Sequence, residues 1–459
     1  MDSRAIHHIV STKPNDYYKP ANITYMLAEL LGRGVLLVEG EQHHRQRRIM
    51  NGAFGPSQIR DLTEIFVEKA NQLRDNFTSL TERNGAARVD VLHWMSKATL
   101  DIIGAAGFNY SFDSLDTTKG PNELNVAFST VFKATQKYDF MSVLTSIAPP
   151  LRRLPTERLR RIREAKATMD RLGLQLVKEK KAALQAESVG VEKKNILSRD
   201  MLSLLIKANI ASDVPENQRL SDEEVLAQIP TFLGAGHETT STSTTWCLFL
   251  LASHPDVQMK LRDELWSLAT NEPTMDQLNS LPYLDSVCRE TLRVRAPVPS
   301  AIRVAQKDDV IPLERPFVDT RGQVCSEIRV KKGQTVILPI LALNRSSRLW
   351  GPDASEFIPE RWQHLPQAVN SIPGVWSNIM TFLAGPHACI GYRFSIVEQG
   401  HDRMKALLFA LVKSFEFELA TRKEDIVVNY MQLVTRPSVA GELEKGNQMP
   451  LIVKPAHRV

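Results

Sequence analysis

A mainly α-helical protein with small β-sheets, of the α+β type, is what this chain predicts, and two patterns predict it. Apolar residues recur at the 3.6-residue helical period through most of its length, whereas short alternating or continuous apolar runs are concentrated late. No Pro/Gly/Ser-rich linker, low-complexity tract or internal repeat divides the 459 residues, so a single domain over 1–459 is expected.

Taken in order, Glu39-Gly-Glu-Gln-His43-His-Arg-Gln-Arg47-Arg48 reads as a basic helix. Val89 to Ala106 places Val91, Leu92, Met95, Ala98 and Ile102 at helical spacing, and Leu159 to Leu184 is a long basic and apolar run of the same kind. Ser221-Asp-Glu-Glu224 has the form of a capping box, and composition stays helical until Ser253-His-Pro255. Such a helix is about 50 Å long at 1.5 Å per residue. Pro230 inside it removes a hydrogen bond and crowds the preceding turn, so a kink or a later effective start is expected. Tyr283 to Arg293 is a further helix, ended by Pro297. Strands are predicted at Ile328-Arg-Val330 and Thr335-Val-Ile-Leu-Pro-Ile340, and within Asp425 to Leu433 and Met449 to Val453.

Composition sets bounds on function. Hydrophobic content of 43% and charged content of 24% belong to an ordinary globular protein with ample core. A net charge of +5 gives no argument for a nucleic-acid partner, although Arg152-Arg153 and Arg158 to Arg163 form basic clusters suited to an acidic partner or membrane surface. Cys247, Cys288, Cys325 and Cys389 are widely spaced with no C-x-x-C pair, so neither a disulfide framework nor a zinc ribbon is indicated, and a reducing compartment fits. No run of eighteen apolar residues is long enough for a spanning helix.

The most informative segment is Phe382-Leu-Ala-Gly385-Pro-His387-Ala-Cys389-Ile-Gly391. Gly385 and Gly391 bound a loop that turns tightly and allows a flat ligand to approach, and Phe394, Val397, Met404, Leu407, Leu408 and Leu411 continue it at helical spacing. Cys389 therefore sits at a helix start, where amides and the helix dipole favour a thiolate able to serve as an axial metal ligand. A buried, inert cysteine is the alternative reading of the loop alone. Within the long helix, Ala235-Gly236-His237-Glu238-Thr239-Thr240 spends helix propensity on a glycine and hydroxyls, either to open a face to a flat ligand or as a back-bonded Ser/Thr turn. Glu290 and Arg293 are three apart and pair on one helix face.

In this order the segments resemble the cytochromes P-450: a haem-binding cysteine loop, an oxygen-activating hexapeptide upstream of it, an E-x-x-R at Glu290 and Arg293, and Pro359-Glu360-Arg361-Trp362 preceded by Leu349-Trp350-Gly351-Pro352-Asp353. The resemblance covers essentially the whole chain and has a fungal style. It implies the cytochrome P-450 fold, haem b held by Cys389 with Phe382 and Gly391 in its loop, Thr239 as hydroxyl donor to the oxygen being reduced, and Glu238 as the acid of the proton relay. Arg361 joins Glu290 and Arg293 in a buried structural network behind the loop. Arg47 matches the propionate-binding arginine of W-x-x-x-R, with His43 where tryptophan is usual. His387 replaces a frequent arginine, and Arg303 in Ala301-Ile-Arg303-Val-Ala matches a further propionate donor on the strand after the E-x-x-R helix.

The function so implied is a haem-thiolate monooxygenase that hydroxylates or epoxidises a lipophilic small molecule, a terpenoid, steroid or polyketide of fungal secondary metabolism. Oxygen is the oxidant, and electrons come from NADPH through NADPH-cytochrome P-450 reductase. Apolar segments expected to meet the substrate are Ile23 to Leu31, Leu233 to Thr240, Val298 to Ile302 and Tyr430 to Val434. The other readings are an isomerase or dehydratase of the same fold, which usually lacks the acid-threonine pair, and a non-catalytic haem protein. A monomer acting at the endoplasmic reticulum surface, without nucleic acid, is expected, as is a longer membrane-anchored form carrying further strands ahead of Asp2.

Overall fold

Antiparallel pairing accounts for every strand of the computed structural model, which describes residues 2–55, 60–82, 84–136, 157–188, 200–211, 214–395, 403–430 and 433–458. Arg152, Arg153, Val397, Met431 and Gln432, named above, lie outside the described residues. Met1–Pro20, Thr63–Ala98 and Glu238–Val459 form one compact unit, and Ala21–Leu62 with Thr99–His237 form a second. Neither is a continuous stretch, which is why no linker in the sequence marks them.

The first unit holds the strands. In chain order these are β1 (Tyr17–Tyr18), β2 (Ala87–Asp90), β3 (Ala301–Ala305), β4 (Asp309–Val318), β5 (Val324–Val330), β6 (Thr335–Leu338), β7 (Phe415–Leu419), β8 (Ile426–Asn429), β9 (Arg436–Val439) and β10 (Pro450–Pro455). They make two three-stranded sheets, ordered β1-β3-β6 and β2-β10-β7, and two hairpins, β4-β5 and β8-β9. Helix Thr63–Thr81 buries Phe66, Val67, Ala70, Leu73 and Phe77 on one stripe and packs on helix Arg403–Ser414. Phe66 meets Phe394 edge-on at 5.5 Å, and Phe77 lies 5.9 Å from Phe415. Each such ring contributes about 1.5–3 kcal/mol by burial.

Two boundaries differ from expectation. Val89 belongs to β2, opposite Leu451, and the expected helix starts at Val91 because the Asp90 carboxylate accepts the amides of Leu92 and Met449, at 3.2 and 2.9 Å. Pro339 ends β6, and Ile340–Asn344 is a helix rather than strand.

Among its described residues the second unit holds helices and loops but no strand, with Ala21–Leu31, Gly40–Ala53, Glu123–Gln136, Glu157–Ser188 and Met201–Ile210 among its elements. Glu123–Gln136 lies along Glu157–Ser188. Phe54 meets Phe232 edge-on at 5.5 Å, while Phe108 stacks on Phe232 at 6.3 Å. The capping box forms as expected, with Ser221 and Glu224 each accepting the other's amide. That turn ends at Leu226, and the long helix proper runs Gln228–Ser253 with Pro230 in its first turn. The proline shifts the effective start, because only first-turn amides need no partner.

Candidate functional site

The cysteine loop is fixed first by its own backbone. The Val375 amide donates to the Leu383 carbonyl at 3.0 Å, Leu383 donates back to Met380 at 2.8 Å, and the Cys389 amide donates to the Phe382 carbonyl at 2.9 Å. A single turn, Gly385–His387, fills the loop between Phe382 and Cys389. Gly385 has a φ of 68°, and a Cβ there would run into the backbone of Val10, so two independent constraints require glycine. Gly391 differs from expectation. It does not use the left-handed region, and a Cβ would stand 3.9 Å from the Cys389 Sγ, at ordinary contact distance. Glycine there leaves the flank of the sulfur open without being needed for a turn.

Cys389 is exposed, just ahead of helix Tyr392–Ser395, whereas Cys247 and Cys288 are buried and Cys325 is half-buried. No disulfide joins the four. Burial pushes the Cys247 thiol up to about 12, with a smaller opposing effect from its hydrogen bond with Thr291, so this sulfur stays protonated. Phe382 is buried at the opposite end of the loop, with Trp376 edge-on at 5.7 Å and Tyr392 at 6.4 Å.

Behind the loop, Glu290 and Arg293 are fully buried and joined by two hydrogen bonds of 2.8 and 2.7 Å. Glu290 also accepts from Trp362 Nε1 at 3.1 Å, the Ile358 amide at 3.0 Å and Arg361 Nε at 3.4 Å. Arg361 bonds Asp353 Oδ1 at 2.8 Å. Burial opposes the Arg361 charge, but Asp353 and Glu290 outweigh it and hold the guanidinium above its usual range. Glu290, Arg293 and Arg361 therefore form one buried network.

Asn344 connects that network to the loop, a link that no sequence motif marked. Arg293 donates to the Asn344 carbonyl at 2.9 Å. The Asn344 side chain donates to Thr381 Oγ1 at 2.9 Å and accepts the Met380 amide at 2.8 Å, and Thr381 in turn donates to the Leu292 carbonyl at 2.8 Å. Thr381 precedes Phe382, whose carbonyl holds the Cys389 amide, so hydrogen bonds run from Glu290 to the cysteine. A buried asparagine after the apolar run Pro339-Ile-Leu-Ala-Leu was the only signal available in the sequence.

Helix Gln228–Ser253 is buried at every position from Thr231 to Ala252 except Ala235, Gly236 and Thr239. Those three share one face, so the turn is open where the hexapeptide predicts. The back-bonded reading also has support, since Ser243 donates to the Thr239 carbonyl at 2.8 Å and Ser241 to the Glu238 carbonyl at 3.1 Å. Glu238 is buried and ion-paired with Arg436 of β9. Arg303 is buried on β3, where it donates to the Ile302 carbonyl at 3.0 Å. His43, buried, and Arg47, half-buried, lie one turn apart on helix Gly40–Ala53 of the second unit.

Of the expected substrate segments, Tyr430 and Leu433 are exposed at 57% and 48%. In the second unit, Leu31 and Leu233 line one cavity of about 550 Å³, whose other walls include the charged Arg33, Lys166, Asp170 and Glu223. Within the first unit, an exposed sulfur on a hydrogen-bonded loop and the buried guanidinium of Arg303 are donors of the kinds that a metal-carrying, dianionic macrocycle such as haem takes. Among the described residues, no helix is long and apolar enough to cross a membrane.

The family model for cytochrome P450 matches residues 1–443. Cytochrome P450 monooxygenase 205 of Postia placenta is 57% identical over 462 residues, covering all of this chain and 84% of that protein. Cytochrome P450 monooxygenase 128 of the same fungus is 53% identical, covering 99% and 83%. Cytochrome P450 monooxygenase claQ of Ampulloclitocybe clavipes is 37% identical, with the same coverage. A cysteine loop braced by a buried Glu–Arg network, a helix face of small residues and matches of this extent lead to one conclusion: the chain belongs to the cytochrome P450 family.

Proposed function

We propose that the protein is a haem-thiolate monooxygenase that hydroxylates or epoxidises a lipophilic small molecule in fungal secondary metabolism. The observation that carries the reading is Cys389, an exposed sulfur on a loop whose backbone is tied to the buried Glu290–Arg293 pair. The names of its relatives, cytochrome P450 monooxygenases, support the same reaction class. When bound, haem supplies one-electron redox chemistry and the activation of oxygen.

The chain's own residues have distinct parts. Cys389, as thiolate, would hold the haem iron, and the hydrogen bonds of its loop would keep the sulfur in place. By family resemblance, His387, Arg303, His43 and Arg47 would each be a donor to a haem propionate. Thr239, on the more open helix face, would offer its hydroxyl proton to oxygen under reduction, and Glu238, once it has taken a proton from solvent, would resupply it. The apolar segments Ile23 to Leu31, Leu233 to Thr240 and Val298 to Ile302 suit a lipophilic molecule such as a terpenoid, steroid or polyketide. Electrons reach the protein from NADPH through NADPH-cytochrome P-450 reductase. On family grounds it acts as a monomer at the endoplasmic reticulum surface.

The test is the fate of those electrons. With reductase, NADPH and a substrate found by product analysis, Thr239→Ala is expected to keep haem and NADPH consumption but to divert most electrons to peroxide. An unchanged ratio of product to NADPH would remove Thr239 from proton delivery, and product formation by Cys389→Ala would overturn the whole reading.

A further inference from the structure

Helix Ser3–His7 widens from His8 to Thr12 into one π-helical turn, closed by the Lys13 amide on the His8 carbonyl at 2.9 Å. Such turns are rare and gather at functional sites. Ile9 and Val10 are buried in the same apolar cluster as Trp376, Phe382 and Ala384. The turn Gly385–His387 of the cysteine loop sits on the Val10 backbone, since a Cβ on Gly385 would overlap the Val10 carbonyl and meet the Ser11 Cα at 3.1 Å. A five-residue turn is too short to keep its shape by its own hydrogen bonds. Here both of its ends are tied to one carboxylate. His8 Nε2 donates to Asp309 Oδ2 at 2.8 Å, and Lys13 Nζ is ion-paired with Oδ1. Asp309 is buried at the start of β4, where Tyr17 of β1 also donates to Oδ2, at 2.8 Å. The ties at His8 and Lys13 bracket Val10, and the tie at Tyr17 lies outside the turn. All of these residues belong to the first unit.

We propose that Asp309 is a positioning residue for the cysteine loop: by gripping His8 and Lys13 it holds the Val10 backbone against Gly385, and so seats the turn that carries His387 and leads into Cys389. Hydrogen bonds to an ionised group are the strong ones, and two of them fix the ends of a segment whose middle bears the load. Because the contact between Val10 and Gly385 leaves no room for a Cβ, a shift of the π turn is passed to the loop rather than absorbed by a gap. The start of the chain is thereby part of the scaffold of a site whose ligand lies near its end. The consequence for haem rests on the reading of Cys389 proposed above, whereas the seat itself is tested separately.

Amide hydrogen exchange of the full chain as purified, with variants compared at equal haem content, reads the seat directly. The reporters are the Ala388 and Cys389 amides, which close the loop on the Gly385 and Phe382 carbonyls at 3.0 and 2.9 Å. His8→Leu and Asp309→Asn are expected to speed exchange at both several-fold, and His8→Gln, whose amide replaces the imidazole donor, should restore most of the protection. Tyr17→Phe deletes an equally short hydrogen bond to the same oxygen from outside the π turn. It should lower the melting midpoint about as much as His8→Leu, yet leave the loop amides unchanged. In reduced protein under carbon monoxide, His8→Leu should carry a several-fold larger share of its haem in the unshifted Soret band of a complex without thiolate, with Tyr17→Phe like the unmodified chain. Equal exchange in His8→Leu and Tyr17→Phe, whether raised in both or in neither, would overturn the seat and leave Asp309 a contributor to stability alone. Exchange as described with equal band shares would overturn its consequence for haem. Exchange as described with no red-shifted band even in the unmodified chain would refute the reading of Cys389 and uphold the seat.

Discussion

Cys389 and Cys247 carry the same side chain in opposite circumstances, and the difference sets their chemistry. Cys247 is fully buried, and its thiol is pushed up to about 12 by that burial, so it has neither access nor charge for ligation or alkylation. Cys389 is exposed at a helix start. Iodoacetamide is therefore expected to label Cys389 rapidly in haem-free protein, with Cys247 and Cys288 unlabelled until unfolding, and haem loading should protect Cys389. Peptide mapping reads this out, and equal labelling of Cys247 and Cys389 would contradict it. The cysteine was legible because its loop is local, with Gly385, Cys389 and the following helix lying within a few residues. The role of Gly391 was legible only in part, since its open flank depends on where the sulfur points and not on a turn.

At the scale of elements, helix Pro282–Val294 and the cysteine loop act together through side chains rather than through packing alone. The sequence could place Glu290 beside Arg293 because helical spacing does so, but it could not show burial, which decides whether the pair is worth tenths of a kcal/mol or several. Glu290→Ala leaves Arg293 uncompensated at a cost of about 3–5 kcal/mol, so little haem-loaded protein should be recovered. Asn344→Leu removes the link while sparing the pair. It should cost less, about 1–3 kcal/mol for the unpaired groups left behind, and should loosen haem retention more than it lowers the melting midpoint. Haem dissociation rates and thermal melts of both variants separate these outcomes. Asn344 was illegible because its partners, Thr381 and Met380, lie 37 and 36 residues away with no motif joining them.

Over the whole chain, helical periodicity and late strands gave the mixed architecture, whereas the long-range charge pairs that close it had no signature in sequence. Asp309 accepts hydrogen bonds from His8 and Tyr17, each at 2.8 Å, and is ion-paired with Lys13, partners 292 to 301 residues away. Burial alone would raise the Asp309 carboxyl, but hydrogen bonds from Lys13, His8 and Tyr17 prevail and hold it below the usual carboxylate range. A carboxyl depressed in the folded state binds protons less readily than in the unfolded chain. Its contribution is complete above about pH 4 and is lost as pH falls through the lower folded value. Asp309→Asn should lower stability by about 2 kcal/mol at neutral pH and flatten the loss below pH 4, as denaturation curves across that range would show. The central claim, that Cys389 thiolate ligates haem iron, is met most directly by the absorption spectrum of reduced protein under carbon monoxide. The unmodified chain should show the red-shifted Soret band of a thiolate complex and Cys389→Ala should lack it, whereas a Cys389→Ala variant that keeps the band would contradict the assignment.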